Sequence, residues 1–223
     1  LVCVGFNPDN SMLVTVGTDA QHRFQIIVWD MQLLLLEKST VLGSASNING
    51  LAIARQISEF DIVRIRFSPF EECGLVSCGR ENVRFWRVRK GHLPGRPVLL
   101  GEYSRGYIFN DVAFHNDEQS IPVRHSSKKS TAPPSSSVVV ALHEANSPGT
   151  IATVTSLRPT VYVSSNKGVL LRVNCQNDQL LCAFQLHSDA IRSLCVHSSY
   201  AVTGSADLRL RVWPLDFTDF LLE

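Results

Sequence analysis

Between residues 80 and 97 the chain carries six cations, Arg80, Arg84, Arg87, Arg89, Lys90 and Arg96, against one acid, Glu81. Residues in that ratio can attract and hold an acidic surface, because fixed positive charge steers an oppositely charged partner and sets its register. The same residues also suit a solvated strand face, where Lys and Arg block pairing of an exposed sheet edge. Arg84, Arg87, Arg89 and Lys90 are the candidate partner-binding residues on the first reading. Covalent chemistry finds no comparable foothold. The sequence has no GxSxG, no phosphate-binding loop and no dinucleotide glycine fingerprint. Its seven histidines are scattered, without HExxH or a Cys/His cluster of zinc-binding spacing. Carboxylate pairs such as Glu71-Glu72 and Asp117-Glu118 fall in turn-like stretches, where solvated acids belong. The expectation is a protein with no catalytic residue, no metal and no cofactor.

Composition narrows the setting. The 223 residues are 44% hydrophobic and 18% charged, enough apolar material for a sizeable core. A net charge of +1 exerts no global pull on nucleic acid or anionic membrane, so neither is an expected partner. Cys3, Cys73, Cys78, Cys175, Cys182 and Cys195 form no CxxC pair. Most lie in apolar, strand-like runs, where a free cysteine behaves as a small hydrophobe, and a reducing intracellular compartment is expected. No apolar run is long enough to span a bilayer; Leu33 to Leu36, for instance, ends at Glu37 and Lys38. No signal peptide is read. The chain starts at Leu1 in a strand-like run without Met and stops at Glu223, which reads as a fragment of a longer protein.

The elements that would position these groups repeat. LVCVGFNPDNSMLVTVGTD is followed by FQIIVWD at 24–30, IVRIRFSPFEECGLVSCGREN by VRFWRV at 83–88, and IRSLCVHSSYAVTGSAD by LRLRVW at 208–213. Alternation of period two predicts strands, with Leu208, Leu210 and Val212 on one face and Arg209 and Arg211 on the other. Val63, Ile65 and Phe67 alternate with Arg64 and Arg66 in the same way. Asn7-Pro8 and Ser68-Pro69 each close a strand, because proline removes the next ladder donor. A third block is interrupted: YIFNDVAFHN at 107–116 finds its second strand only at TVYVSSN, 160–166, followed by VLLRVN and LLCAFQLH. The Ser-, Lys- and Pro-rich stretch HSSKKSTAPPSSS predicts a flexible insertion, with VVVALHE at 138–144 able to add a strand. The organisation read is residues 1–116 as two repeats and the start of a third, 117–158 as an insertion, and 159–223 as the rest of the third repeat and a fourth. Repeats of about forty residues with four short strands predict propeller blades, here about four in a larger array.

On these residues the chain resembles the WD-repeat β-propellers, an all-β family. Asp207 and Trp213 stand six apart, with Thr203 in the preceding strand and His187 before the first. In that family such a set forms a hydrogen-bonded chain from Trp through a hydroxyl and His to Asp, which implies a structural rather than catalytic role. The first block retains Thr15, Asp19 and Trp29, the second Ser77 and Trp86, and the third neither Trp nor Asp. TVGTDAQHRFQIIVWD is similar to the blades of WD-repeat proteins that decorate microtubules, including the echinoderm microtubule-associated family. FSPFEECGLVSCGRENVRFWRV and VWPLDFTDFLLE resemble centriolar and ciliary members. The resemblance implies a non-catalytic interaction scaffold of the cytoskeleton, at a centriole, basal body or axoneme. Its partners would be proteins, tubulin or microtubules among them. The alternative is a substrate-receptor propeller that presents a peptide to a ubiquitin ligase.

Overall fold

A strand covered on both faces must be apolar at successive positions, whereas a strand covered on one face alternates. Both patterns occur here, and they sort the sheets. The computed structural model describes residues 1–33, 52–71, 74–123 and 152–223. Among these residues, fifteen strands form four antiparallel sheets in chain order. The first holds β1 (Cys3–Phe6), β2 (Met12–Thr18), β3 (Phe24–Asp30) and β4 (Ala52–Ser58). The second holds β5 (Ile62–Phe67), β6 (Gly74–Gly79), β7 (Asn82–Arg87) and β8 (Gly95–Pro97). The third holds β9 (Phe109–Val123), β10 (Ala152–Ser165), β11 (Val169–Asn174) and β12 (Leu180–Gln185). The fourth holds β13 (Ile191–Val196), β14 (Tyr200–Ser205) and β15 (Leu210–Pro214). The strand before each Pro ends where the sequence predicts, at Phe6 and at Phe67.

The core lies between sheets. Val14, Val16, Ile26 and Val28 of the first meet Ile65, Leu75 and Trp86 of the second. Val76, Val83 and Phe85 on the second meet Phe109, Val163 and Leu171 of the third. Tyr162 and Leu170, on the other face of the third, meet Ile191, Leu194 and Trp213 of the fourth. Every residue of β6 is therefore buried, while β3 buries only Ile26 and Val28. This explains where the alternation reading fails. Leu208 sits in the β14–β15 turn at φ +67° and is 95% exposed, and Leu210 is 61% exposed. The face of β15 that packs inward is the one carrying Trp213.

First strands of successive sheets lie side by side, β1 by β5, β5 by β9 and β9 by β13. Three of them carry a bulge near the start, with Val63, Asn110 and Arg192 as the extra residues. A bulge leaves one residue without a ladder partner and re-aims it. Val63 consequently turns outward and leaves the apolar face expected for it with Ile65 and Phe67. In the third sheet the β9–β10 ladder continues to Ala152↔Val123. Residues 117–123 and 152–158, read from sequence as parts of an insertion, thus lie in strands. Lys128, Lys129 and the stretch 138–144 lie outside the described residues.

Two contacts lock adjacent sheets. The Asp111 carboxylate on β9 is 5% exposed, and its Oδ1 accepts Nη2 of Arg66 from β5 at 2.8 Å, with Nε of Arg64 at 3.4 Å. Its Oδ2 accepts the Leu194 N–H of β13 at 3.2 Å. One side chain therefore ties three sheets. Gly168, at φ +73°, presents its carbonyl to the N–H groups of Leu186 and His187, and a Cβ there would come 1.9 Å from the His187 oxygen. Asp111→Ala leaves the buried Leu194 N–H unpaired and is expected to cost about 1–3 kcal/mol. Arg66→Ala, which removes a half-exposed partner, should cost at most about 1 kcal/mol. Urea melts of the two variants check the order; equal losses would remove Asp111 from the centre of the junction.

Candidate protein-interaction surface

Trp side chains recur at one place in three sheets, and each has the same use for its indole N–H. Trp29 donates to Thr15 Oγ1 at 2.9 Å, Trp86 to Ser77 Oγ at 2.8 Å and Trp213 to Thr203 Oγ1 at 2.8 Å. In each case Trp faces one residue of the neighbouring strand, Leu13, Leu75 or Ala201, and bonds the hydroxyl two residues further on. The third sheet has Val173 opposite Val161, with Val163 two residues on, all fully buried. Donor and acceptor are both replaced there by apolar side chains, which leaves no polar atom stranded.

In the fourth sheet the bond extends. Thr203 Oγ1 lies 2.7 Å from His187 Nε2, and His187 Nδ1 lies 2.9 Å from Asp207 Oδ2. Because Thr203 accepts from Trp213, its own hydrogen goes to Nε2, which assigns the His187 proton to Nδ1 and directs it at Asp207. The structure thus brings His187, Thr203, Asp207 and Trp213 into one chain of hydrogen bonds. Burial pushes the Asp207 carboxyl up, but the bonds from His187, Ser205 and the Arg209 N–H outweigh it and bring it down to about 2. The imidazole is buried edge-on to the Trp213 ring, with centroids 6.2 Å apart. Asp19, in the first sheet, caps its own hairpin by accepting the N–H groups of Gln21 and Arg23 and the Arg23 guanidinium. Among the described residues no group of three His, Cys, Asp or Glu side chains could hold a metal ion. No helix among them is long and apolar enough to cross a membrane.

The basic stretch is divided by the fold. Arg80 pairs with Asp61 at 3.0 Å, Arg87 with Glu71 at 3.3 Å and Arg96 with Asp178 at 3.1 Å. Each partner comes from a turn outside the stretch, Asp61 between β4 and β5, Glu71 between β5 and β6 and Asp178 between β11 and β12, so the acids that offset these charges are not legible in the local run. Arg89 and Lys90 stand exposed on the β7–β8 hairpin, whose turn closes through Arg89 and His92, and meet no acid among the described residues. Arg84 lies against the Phe60 ring, its guanidinium carbon 4.3 Å from the centroid. Arg87, Arg89 and Arg96 border a cavity of about 390 Å³ between the second and third sheets, floored by Leu75, Phe85, Trp86, Pro94 and Cys175. Burial pushes the Cys175 thiol up to about 12, so it stays protonated and inert there. Sequence reasoning missed Asp111; the available signal was an acid inside the apolar run Phe109 to Phe114.

Four stacked antiparallel sheets joined by first strands around one side, with the Trp–hydroxyl bond repeated, define a WD-repeat β-propeller fragment. Residues 178–214 match the family described as WD domain, G-beta repeat. Over those residues the chain carries a WD repeat. It is 30% identical over 237 residues to Centriole proteome protein 16 of Chlamydomonas reinhardtii, covering 100% of this chain and 9% of that protein. It is 28% identical over 243 residues to WD repeat-containing protein 90 of Xenopus tropicalis, covering 99% of this chain and 11% of that one. Against WD repeat-containing protein 90 of Homo sapiens the identity is 27% over 243 residues, covering 100% and 11%. The chain spans between 9 and 11% of the length of these relatives. Among solved structures the β-propeller domain of Myceliophteria thermophila Cps50 (Swd1) superposes with a TM-score of 0.59 at 10% identity, over 100% of this chain and 57% of that one. That likeness carries the fold alone.

Trp213 is buried with Ala113, Tyr162 and Leu170 of the third sheet, and Trp213→Ala should cost about 3–5 kcal/mol in a denaturant melt. A melt indistinguishable from wild type would show that this face is not packed. The acid limb carries a second expectation. The folded Asp207 carboxyl is the stronger acid, so the unfolded chain takes up its proton first. Its bonds therefore contribute fully above the ordinary carboxylate value near 4 and are lost as pH falls towards 2. Asp207→Asn should flatten the stability profile in that window, and an unchanged slope between pH 4 and pH 2 would refute the coupling.

Proposed function

We propose that this chain is a non-catalytic interaction scaffold of the centriole or ciliary axoneme, and that its partners include tubulin in microtubules. The observation that carries the reading is the basic edge of the second blade. Arg89 and Lys90 project there with no acid among the described residues, beside Arg87, whose pair with Glu71 is exposed on both sides and so contributes at most about 1 kcal/mol. An acidic surface can compete for all three groups. The centriolar reading rests on the printed name of the Chlamydomonas relative and on full-length coverage of this chain by it. The Trp213–Thr203–His187–Asp207 chain has a structural role in this proposal: it satisfies buried polar groups and stiffens the fourth blade.

Reversing Arg87, Arg89 and Lys90 to Glu should leave the melting curve near wild type and reduce co-pelleting with microtubules at least about tenfold at low salt. The difference should shrink with added salt, since exposed charges are screened beyond about 8 Å at physiological ionic strength. A folded triple variant that co-pellets like wild type at low salt would exclude this edge, and a wild-type chain that stays in the supernatant would exclude microtubules.

A further inference from the structure

Of the six cations between residues 80 and 97, Arg84 is placed unlike the rest. Its guanidinium stacks on Phe60 and reaches towards Trp86, 5.8 Å from that ring. Among the described residues it forms no ion pair, and its buried Nε has no hydrogen-bond partner. A guanidinium held against an aromatic ring has already lost part of its rotamer freedom, so it binds a planar anion at a reduced entropic cost. A buried N–H left without an acceptor is an unfavourable arrangement that an incoming acceptor relieves. Arg84 borders a groove of about 320 Å³ between the first and second blades, lined also by Ile57, Glu59, Phe60, Trp86 and Leu93.

We propose that this groove is a carboxylate-binding site for a partner protein's peptide segment, in which one Asp or Glu side chain meets the Arg84 guanidinium and an apolar neighbour lies on Ile57. The inference deepens the scaffold reading, since it supposes a protein partner. Two features set the specificity. Glu59 lines the same groove and repels a second acid, which selects an isolated carboxylate over an acidic run. Ile57 is 42% exposed at the rim and offers apolar area beside the charge. This differs from the edge formed by Arg87, Arg89 and Lys90, which acts by summed charge and has no such selection.

The test reads Arg84 directly. In chain labelled with ¹⁵N at arginine, the Arg84 Nε–Hε resonance is assigned by its absence in Arg84→Lys. N-acetyl-Leu-Glu-Leu-amide should shift it saturably, with Kd on the order of 1 mM for so small a ligand. The Gln counterpart should shift it at least about tenfold more weakly, and Arg84→Lys should bind neither while melting like wild type. If Arg84→Lys is unfolded, Glu59→Gln serves instead: it should admit N-acetyl-Glu-Glu-Glu-amide, which wild type takes up more weakly than the Leu-Glu-Leu peptide. A resonance that does not move, or moves equally with Glu and Gln peptides, overturns the proposal. So does a wild-type chain that prefers the triple-Glu peptide. None of these readings involves microtubules, so failure here leaves the co-pelleting result standing, and loss of co-pelleting by the Arg87, Arg89 and Lys90 reversal leaves this site standing.

Discussion

The carboxylate of Asp111 sits where three blades meet, and the geometry of the inner strands follows from satisfying it. A nearly buried carboxylate costs several kcal/mol in desolvation unless charged or amide donors surround it. Here the donors come from β5 on one side and β13 on the other, so the charge can be satisfied only if three blades stand at one spacing and register. The apolar clusters between blades supply most of the stabilisation, but they tolerate sliding; a hydrogen bond to a fixed oxygen does not. The bulges at Val63, Asn110 and Arg192 belong to the same arrangement. Each lies within a residue or two of the groups that converge on Asp111 or, at Asn110, of the bond from its Nδ2 to the Ile191 carbonyl.

The blades also show how a repeat can lose its signature and keep its shape. Trp and hydroxyl form a matched donor and acceptor in blades one, two and four. In blade three Val173 and Val163 replace both at once, and the blade remains packed on each face. Losing only the hydroxyl would strand an indole N–H inside the core. The pair therefore changes together, and a search for Trp alone finds three blades where four exist.

Strand positions, the division into four blades and the Thr203–Trp213 hairpin were legible because period two and proline punctuation act locally. What escaped the sequence was non-local. The run LRLRVW announces an apolar face, but Leu208 occupies a left-handed turn position and Leu210 faces away from blade three, so which face packs depended on which neighbour exists. The charge of residues 80–97 looked uniform, yet Asp61, Glu71 and Asp178 offset three of its cations from turns elsewhere in the chain. Asp111, the acid that ties three blades, lies inside FNDVAF with only apolar residues and one Asn around it. The insertion boundary at 117 was drawn from composition, and the β9–β10 ladder runs past it because backbone pairing asks little of side-chain type.

Gly168 has a bearing on inherited variation. Glycine codons differ from those of Ala, Val, Ser, Arg, Asp, Cys, Glu and Trp by single bases, and every one of these residues adds a Cβ. At Gly168 that atom would overlap the His187 carbonyl, in a backbone region that L residues avoid, at the joint where blade three hands the chain to blade four. Gly91, at φ +86° on the β7–β8 hairpin, has open space where its Cβ would stand, and Asn or Asp can occupy such a turn. Two glycines that look alike in the sequence are thus unequal before selection: a missense allele at codon 168 meets both a steric overlap and an unfavourable φ, whereas one at codon 91 meets the unfavourable φ alone.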